Sequence, residues 1–102
     1  MRHAPKTCPV SKVASLVGDQ CSLLIVRDLL ESPKRFGELE SSQTSSSRTL
    51  AKKLKMLESE KIVVKKESHA APMCVKYELT KKGAALRPTI QAMRTFGAKY
   101  LR

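Results

Sequence analysis

A mainly α-helical fold with a small β-hairpin, ordered as a winged helix-turn-helix with an extra helix at each end, is predicted by three observations on this 102-residue sequence. Apolar residues recur at helical spacing in successive short segments. One of these segments, about residues 45–59, sets leucines against cations. Residues 62–79 then carry β-branched and alternating patterns interrupted by a proline-containing break, before a last amphipathic segment.

Pro9 stands ahead of Val10, Val13, Ala14 and Val17, an i, i+3, i+4, i+7 stripe with proline at the first helical position, so a first helix runs from there to Gly18. Within residues 21–30 only Ser22, Arg27 and Asp28 interrupt an apolar run, which predicts a central helix covered on most sides. Ser32 and Pro33 stop it, and Phe36 with Leu39 mark a short amphipathic helix ending near Ser41. Residues 42–47 are too polar for a core and too short for an interdomain linker. In the next helix Leu50, Leu54 and Leu57 share one face, while Arg48, Lys52 and Lys55 fall within ~40° of the opposite pole. Residues 62–64 and 75–79 read as two strands joined across a break at 68–73. Thr80 can cap a last helix carrying Leu86, Ile90, Met93, Phe96, Tyr100 and Leu101, which Pro88 should kink or divide.

The length fits a single domain, residues 1–102, and the aromatic content of only two Phe and two Tyr makes the core aliphatic and thin. The terminal helix presents more apolar surface than such a core could cover, so a second subunit is expected against it, with folding back on its own core as the other possibility. A net charge of +11 is tolerated most easily beside a polyanion, and nucleic acid is the first candidate. The longest fully apolar run, residues 23–26, is far below the ~20 residues that cross a bilayer, and no secretion signal opens the chain, so a cytoplasmic location is expected. Three widely spaced Cys do not form a disulfide scaffold, and with His3 and His69 they match no metal-ligand spacing. No nucleophile elbow, phosphate-binding loop or paired carboxylates point to catalysis or a cofactor.

A helix that enters the major groove needs a free N-terminus, donors in its first turns and an apolar back. Ser45 or Ser46 can cap the 45–59 helix, and no Glu or Gln three residues on completes a capping box, leaving the positive end of the dipole to a phosphate. Arg48 can bond guanine bidentately, Ser47, Thr49 and Lys52 come next nearest to bases, Ser46 joins this DNA-binding set at the helix start, and Arg35, Lys53, Lys55, Lys65, Lys66 and Lys76 are assigned to phosphates. The hairpin lysines equally fit ordinary strand-edge lysines that deter aggregation. Cys8, ahead of Pro9, would occupy a helix cap with Lys6 and Lys12 nearby, which should lower its pKa. It is a candidate redox sensor or a plain capping thiol. Cys21 belongs to the core, and Cys74 stays open between core and surface.

The stretches CPVSKVASLVGDQCSLLIVRDLLESPKRFGELE, RTLAKKLKMLESEKIVVKK and VKYELTKKGAAL, covering about residues 8–101, resemble the HxlR-type winged-helix regulators. The resemblance implies a homodimeric transcriptional regulator whose terminal helices form the dimer contact and whose recognition helices read a palindromic operator, about one DNA turn, ~34 Å, apart. It also implies that Cys8 corresponds to a cysteine that senses oxidants or electrophiles in several members. Two departures stand out: Gly18, Asp19, Gln20 and Cys21 replace a G-G-x-W turn, and Lys61 replaces a glycine after the recognition helix. Two other functions remain open: a basic module that binds RNA or a protein without sequence preference, marked by steep salt dependence alone, and a thiol switch centred on Cys8.

Overall fold

Helix boundaries fall where local capping chemistry places them. In the computed structural model, which describes residues 8–68 and 73–102, Asp19 accepts the Ser22 N–H at 3.0 Å and opens α2 (Gln20–Glu31). Ser46 accepts the Thr49 N–H at 3.2 Å and opens α4 (Ser47–Ser59), and Thr80 accepts the Gly83 N–H at 3.0 Å and opens α5 (Lys81–Ala84). Pro9 starts α1 (Pro9–Val17), and Pro88 lies in the first turn of α6 (Arg87–Tyr100), so the last helix is divided rather than kinked. The short α3 (Phe36–Ser41) is closed at its start by the Arg35 N–H, which donates to Glu38 Oε1 at 2.8 Å.

The hairpin is β1 (Val63–Ser68) against β2 (Cys74–Leu79), antiparallel, with Lys65 opposite Tyr77 and Lys66 opposite Lys76. One feature went unpredicted: Lys34 pairs with Tyr77 as an isolated bridge, its N–H donating to Tyr77 O at 3.0 Å and its carbonyl accepting from Tyr77 N at 2.7 Å. A single bridging residue has no alternation for the sequence to display. Lys6, expected beside Cys8, and the hairpin break at 69–72, together with His3 and His69, lie outside the described residues.

Leu50, Leu54 and Leu57 of α4 enter one core with Ile25, Val26 and Leu29 of α2, Leu39 of α3, and Ile62 and Val63. The chain leaves α4 through a left-handed turn: Lys61 has φ 63°, its N–H donates to Glu58 O at 3.0 Å, and the Ile62 N–H donates to Leu57 O at 2.9 Å. These two bonds with Leu57 and Ile62 both buried make a Schellman motif, in which glycine is the unstrained occupant. Lys61→Gly should therefore raise stability by roughly 1 kcal/mol. Urea denaturation checks this, and an unmoved or lower midpoint would show that the turn holds no strain.

α5 is fastened to that same exit. The Thr80 hydroxyl donates to Lys61 O at 2.6 Å, and Lys82 Nζ donates to Glu60 O at 2.9 Å. A Cβ on Gly83 would stand 2.2 Å from Ile62 O, so only glycine allows this close approach. The end of α4 and the start of the terminal helices thus share one rigid joint.

Candidate nucleic-acid interface

The turn between α3 and α4 is held to α2 by bonds to its side chains and backbone. The Ser42 hydroxyl donates to the Asp28 carboxylate, which also accepts from Arg27 Nε at 2.9 Å. Gln43 Nε2 donates to Cys21 O at 3.4 Å, and the Ser45 hydroxyl lies 3.3 Å from Cys21 Sγ. Asp28, Ser42 and Gln43 were not among the expected functional residues. The signal available for Asp28 was a carboxylate inside the most apolar segment, which needs a donor from another part of the fold.

With its three leucines buried, α4 exposes Ser47, Arg48, Ala51, Lys52 and Lys55. Arg48, Lys52 and Lys55 form no ion pair with any other described residue. Thr49 is half-buried. Lys53, expected toward phosphates, sits on the flank about 60° from the leucine pole, where its Nζ is 3.5 Å from Asp19 Oδ1. Burial alone would raise the Asp19 pKa, but the Ser22 N–H and the Lys53 ammonium outweigh it and hold the carboxyl below its ordinary value.

Ser46, not Ser45, is the cap, and no capping box closes it. The helix start is nonetheless not clear of carboxylates, because the Ser47 hydroxyl donates to Glu40 Oε2 at the end of α3. A carboxylate there suits the positive end of the helix dipole. The sequence reading missed it because the two residues come from different helices.

Strand alternation divides the hairpin lysines. Lys65 and Tyr77 face α4 and line a cleft with Lys52 and Lys55. Lys66 and Lys76 occupy the opposite face beside Pro33, where Lys66 Nζ is 3.7 Å from Glu78 Oε1. Arg35 is exposed at the start of α3. The bond from its N–H, with the cations of Lys34, Lys76 and Arg35 nearby, keeps Glu38 below the usual carboxylate range. The structure therefore gathers Arg48, Lys52, Lys55 and Lys65 in one region and Arg35 and Lys76 in another.

Cys8 is the half-buried cap residue of α1, and its thiol makes no capping hydrogen bond. Cys21 is buried, and Cys74, the first residue of β2, is half-buried. Val10, Val13 and Met93 border an apolar groove of about 510 Å³ between α1 and α6, and Phe96, Tyr100 and Leu101 continue exposed apolar surface to the end of α6. Among the described residues no group of three or more His, Cys, Asp or Glu side chains comes together, and no helix is long and apolar enough to cross a membrane.

A helix-turn-helix that presents a cationic helix face beside a two-stranded wing defines a winged-helix transcriptional regulator. The chain belongs to the HxlR-like helix-turn-helix family, whose model matches residues 16–102. It is 37% identical over 95 residues to the HTH-type transcriptional regulator YodB of Bacillus subtilis, covering 91% of this chain and 85% of that protein. A putative MarR-family transcriptional regulator from Porphyromonas gingivalis W83 superposes with a TM-score of 0.88 at 28% identity, over 99% of this chain and 100% of the other. The redox regulator HypR in its oxidised form superposes with a TM-score of 0.85 at 27% identity, over 93% and 99% of the two chains.

Proposed function

We propose that this regulator acts as a homodimer on duplex DNA of defined, palindromic sequence, with α4 in the major groove and the hairpin as wing. The observation that carries this is the exposed face of α4, where Arg48, Lys52 and Lys55 stand opposite the buried leucines with no carboxylate partner among the described residues. Arg48 in the first turn reads base edges, and Lys52, Lys55 and Lys65 neutralise phosphates. Ser47 and Thr49 contribute by positioning, since Ser47 is tied to Glu40 and Thr49 to Ser46. Lys53, Lys66 and Lys76 lie off this face and serve the outer backbone at most.

The apolar groove and the exposed end of α6 supply the dimer contact, in keeping with the family. Cys8 gives the regulator a thiol at that same contact, since Pro9 and Val10 border the groove. The likenesses to the redox regulator HypR and to YodB, solved in reduced and diamide-treated forms, support an oxidant-responsive role for it.

Selection of bound duplexes from a random pool would supply the operator, and mobility-shift titrations would then test the roles. Arg48→Ala should lose about 1–3 kcal/mol on the preferred duplex and relax the preference. Lys55→Ala should weaken every duplex alike and lower the salt slope by about one. Equal effects of both variants on all sequences would instead favour the nonspecific basic module.

A further inference from the structure

The cleft between α4 and the wing has a composition that the groove-reading helix alone does not require. It has a volume of about 350 Å³ and is walled by Lys52, Lys55 and Lys65, with Tyr77 behind them and Ala51 and Glu58 on the helix side. Three lysines thus line one space, together with the small side chain of Ala51 and the aliphatic Leu54. Tyr77 is held at a fixed place, because its backbone pairs with Lys65 on one side and with Lys34 on the other. Its ring packs against the core, while its hydroxyl has no hydrogen-bond partner among the described residues. A phenol anchored by its backbone and lining a cleft with three lysines can donate its O–H to an acceptor of negative charge.

We propose that this cleft is a phosphodiester seat, in which Tyr77 donates its hydroxyl proton as a hydrogen bond to one backbone phosphate while Lys52, Lys55 and Lys65 supply the charge. The inference rests on the reading of α4 as the groove-bound helix and adds to it a neutral contact, Tyr77, that composition and charge do not point to. A phosphate fits the chemistry because its several oxygens can accept from an O–H and from ammonium groups at once. Glu58, i+3 from Lys55 on the same wall, fixes where the anion sits: it repels the phosphate from its own end of the cleft and confines it toward Lys52.

The test uses the full chain and the selected duplex. Tyr77→Phe keeps the ring and should leave the thermal midpoint unchanged, yet lower affinity about tenfold for preferred and unrelated duplexes alike, with the salt slope unaltered. Lys65→Ala should lower the slope by about one, and Glu58→Gln should raise affinity for all duplexes. In a scan of duplexes carrying single uncharged methylphosphonates, the Tyr77→Phe penalty should vanish at one position only. Wild-type affinity in Tyr77→Phe, while Arg48→Ala still relaxes sequence preference, overturns the seat and leaves the α4 reading standing. If Arg48→Ala changes no preference, the α4 reading itself fails and the seat goes with it. Inorganic phosphate, followed by the ring resonances of Tyr77, should compete only weakly. Tight saturation by it, with duplex binding insensitive to Tyr77→Phe, overturns the proposal in favour of a free-anion site.

Discussion

Leu54→Ala will lower the free energy of unfolding by about 2–5 kcal/mol. Leu54 is 1% exposed and sits between Leu50 and Leu57 on the stripe that fixes α4 to α2, so its truncation leaves a void that neighbouring side chains fill only in part. Aliphatic side chains dominate this core, and a domain of this size has few other large groups to redistribute. Urea denaturation at one fixed protein concentration measures the loss, since any dimerisation makes the midpoint depend on concentration. A loss below ~1 kcal/mol would mean that α4 is not anchored by its leucines, and the orientation of Arg48 and Lys52 would then lack its physical basis. The surface control is Lys52→Ala, which should leave stability within about 0.5 kcal/mol of wild type.

If the proposed dimer contact is the α1–α6 face, Met93→Glu combined with Phe96→Glu will give a monomer in light scattering at a micromolar concentration where the wild type is dimeric. Met93 is 49% and Phe96 50% exposed, and the Phe96 and Tyr100 rings meet at a tilt with centroids 5.0 Å apart, so both rings stay on the exposed side of the helix. Ile90, buried on the inner side of α6, is untouched and keeps the helix docked. Two carboxylates placed in an apolar contact would have to be desolvated without partners, which strongly disfavours the contact. Affinity for a two-site palindrome should fall about a hundredfold or more, because the second recognition helix no longer benefits from tethering to the first. Affinity for a single half-site should stay near that of the wild-type subunit. A double variant that remains dimeric would move the dimer contact elsewhere on the molecule, and one that loses half-site binding as well would implicate α6 in the DNA contact.

The architecture was legible because most of its determinants are short-range. Asp19, Ser46 and Thr80 each cap a helix through an N–H three residues on, and the stripe of Leu50, Leu54 and Leu57 closes within two turns. The left-handed turn at Lys61 was signalled instead by the resemblance, which has a glycine at this position after the recognition helix. The pairing of Lys34 with Tyr77 could not, because a bridge of one residue per strand leaves no pattern.

The candidate site was only half legible. Helical angle alone placed Arg48, Lys52 and Lys55 on the outer face of α4, and there the structure has them. It could not show that Lys53 meets Asp19, that Ser47 meets Glu40, or that Lys65 turns toward α4 while Lys66 and Lys76 turn away. What the sequence by itself determined was which surfaces are oily, which are cationic and where each helix begins, since periodicity and capping act within a turn of chain. Only the tertiary structure decided which cations keep their charge free for a ligand, because an ion pair depends on the distance between elements far apart in the sequence. That distance is set by core packing and hairpin register together.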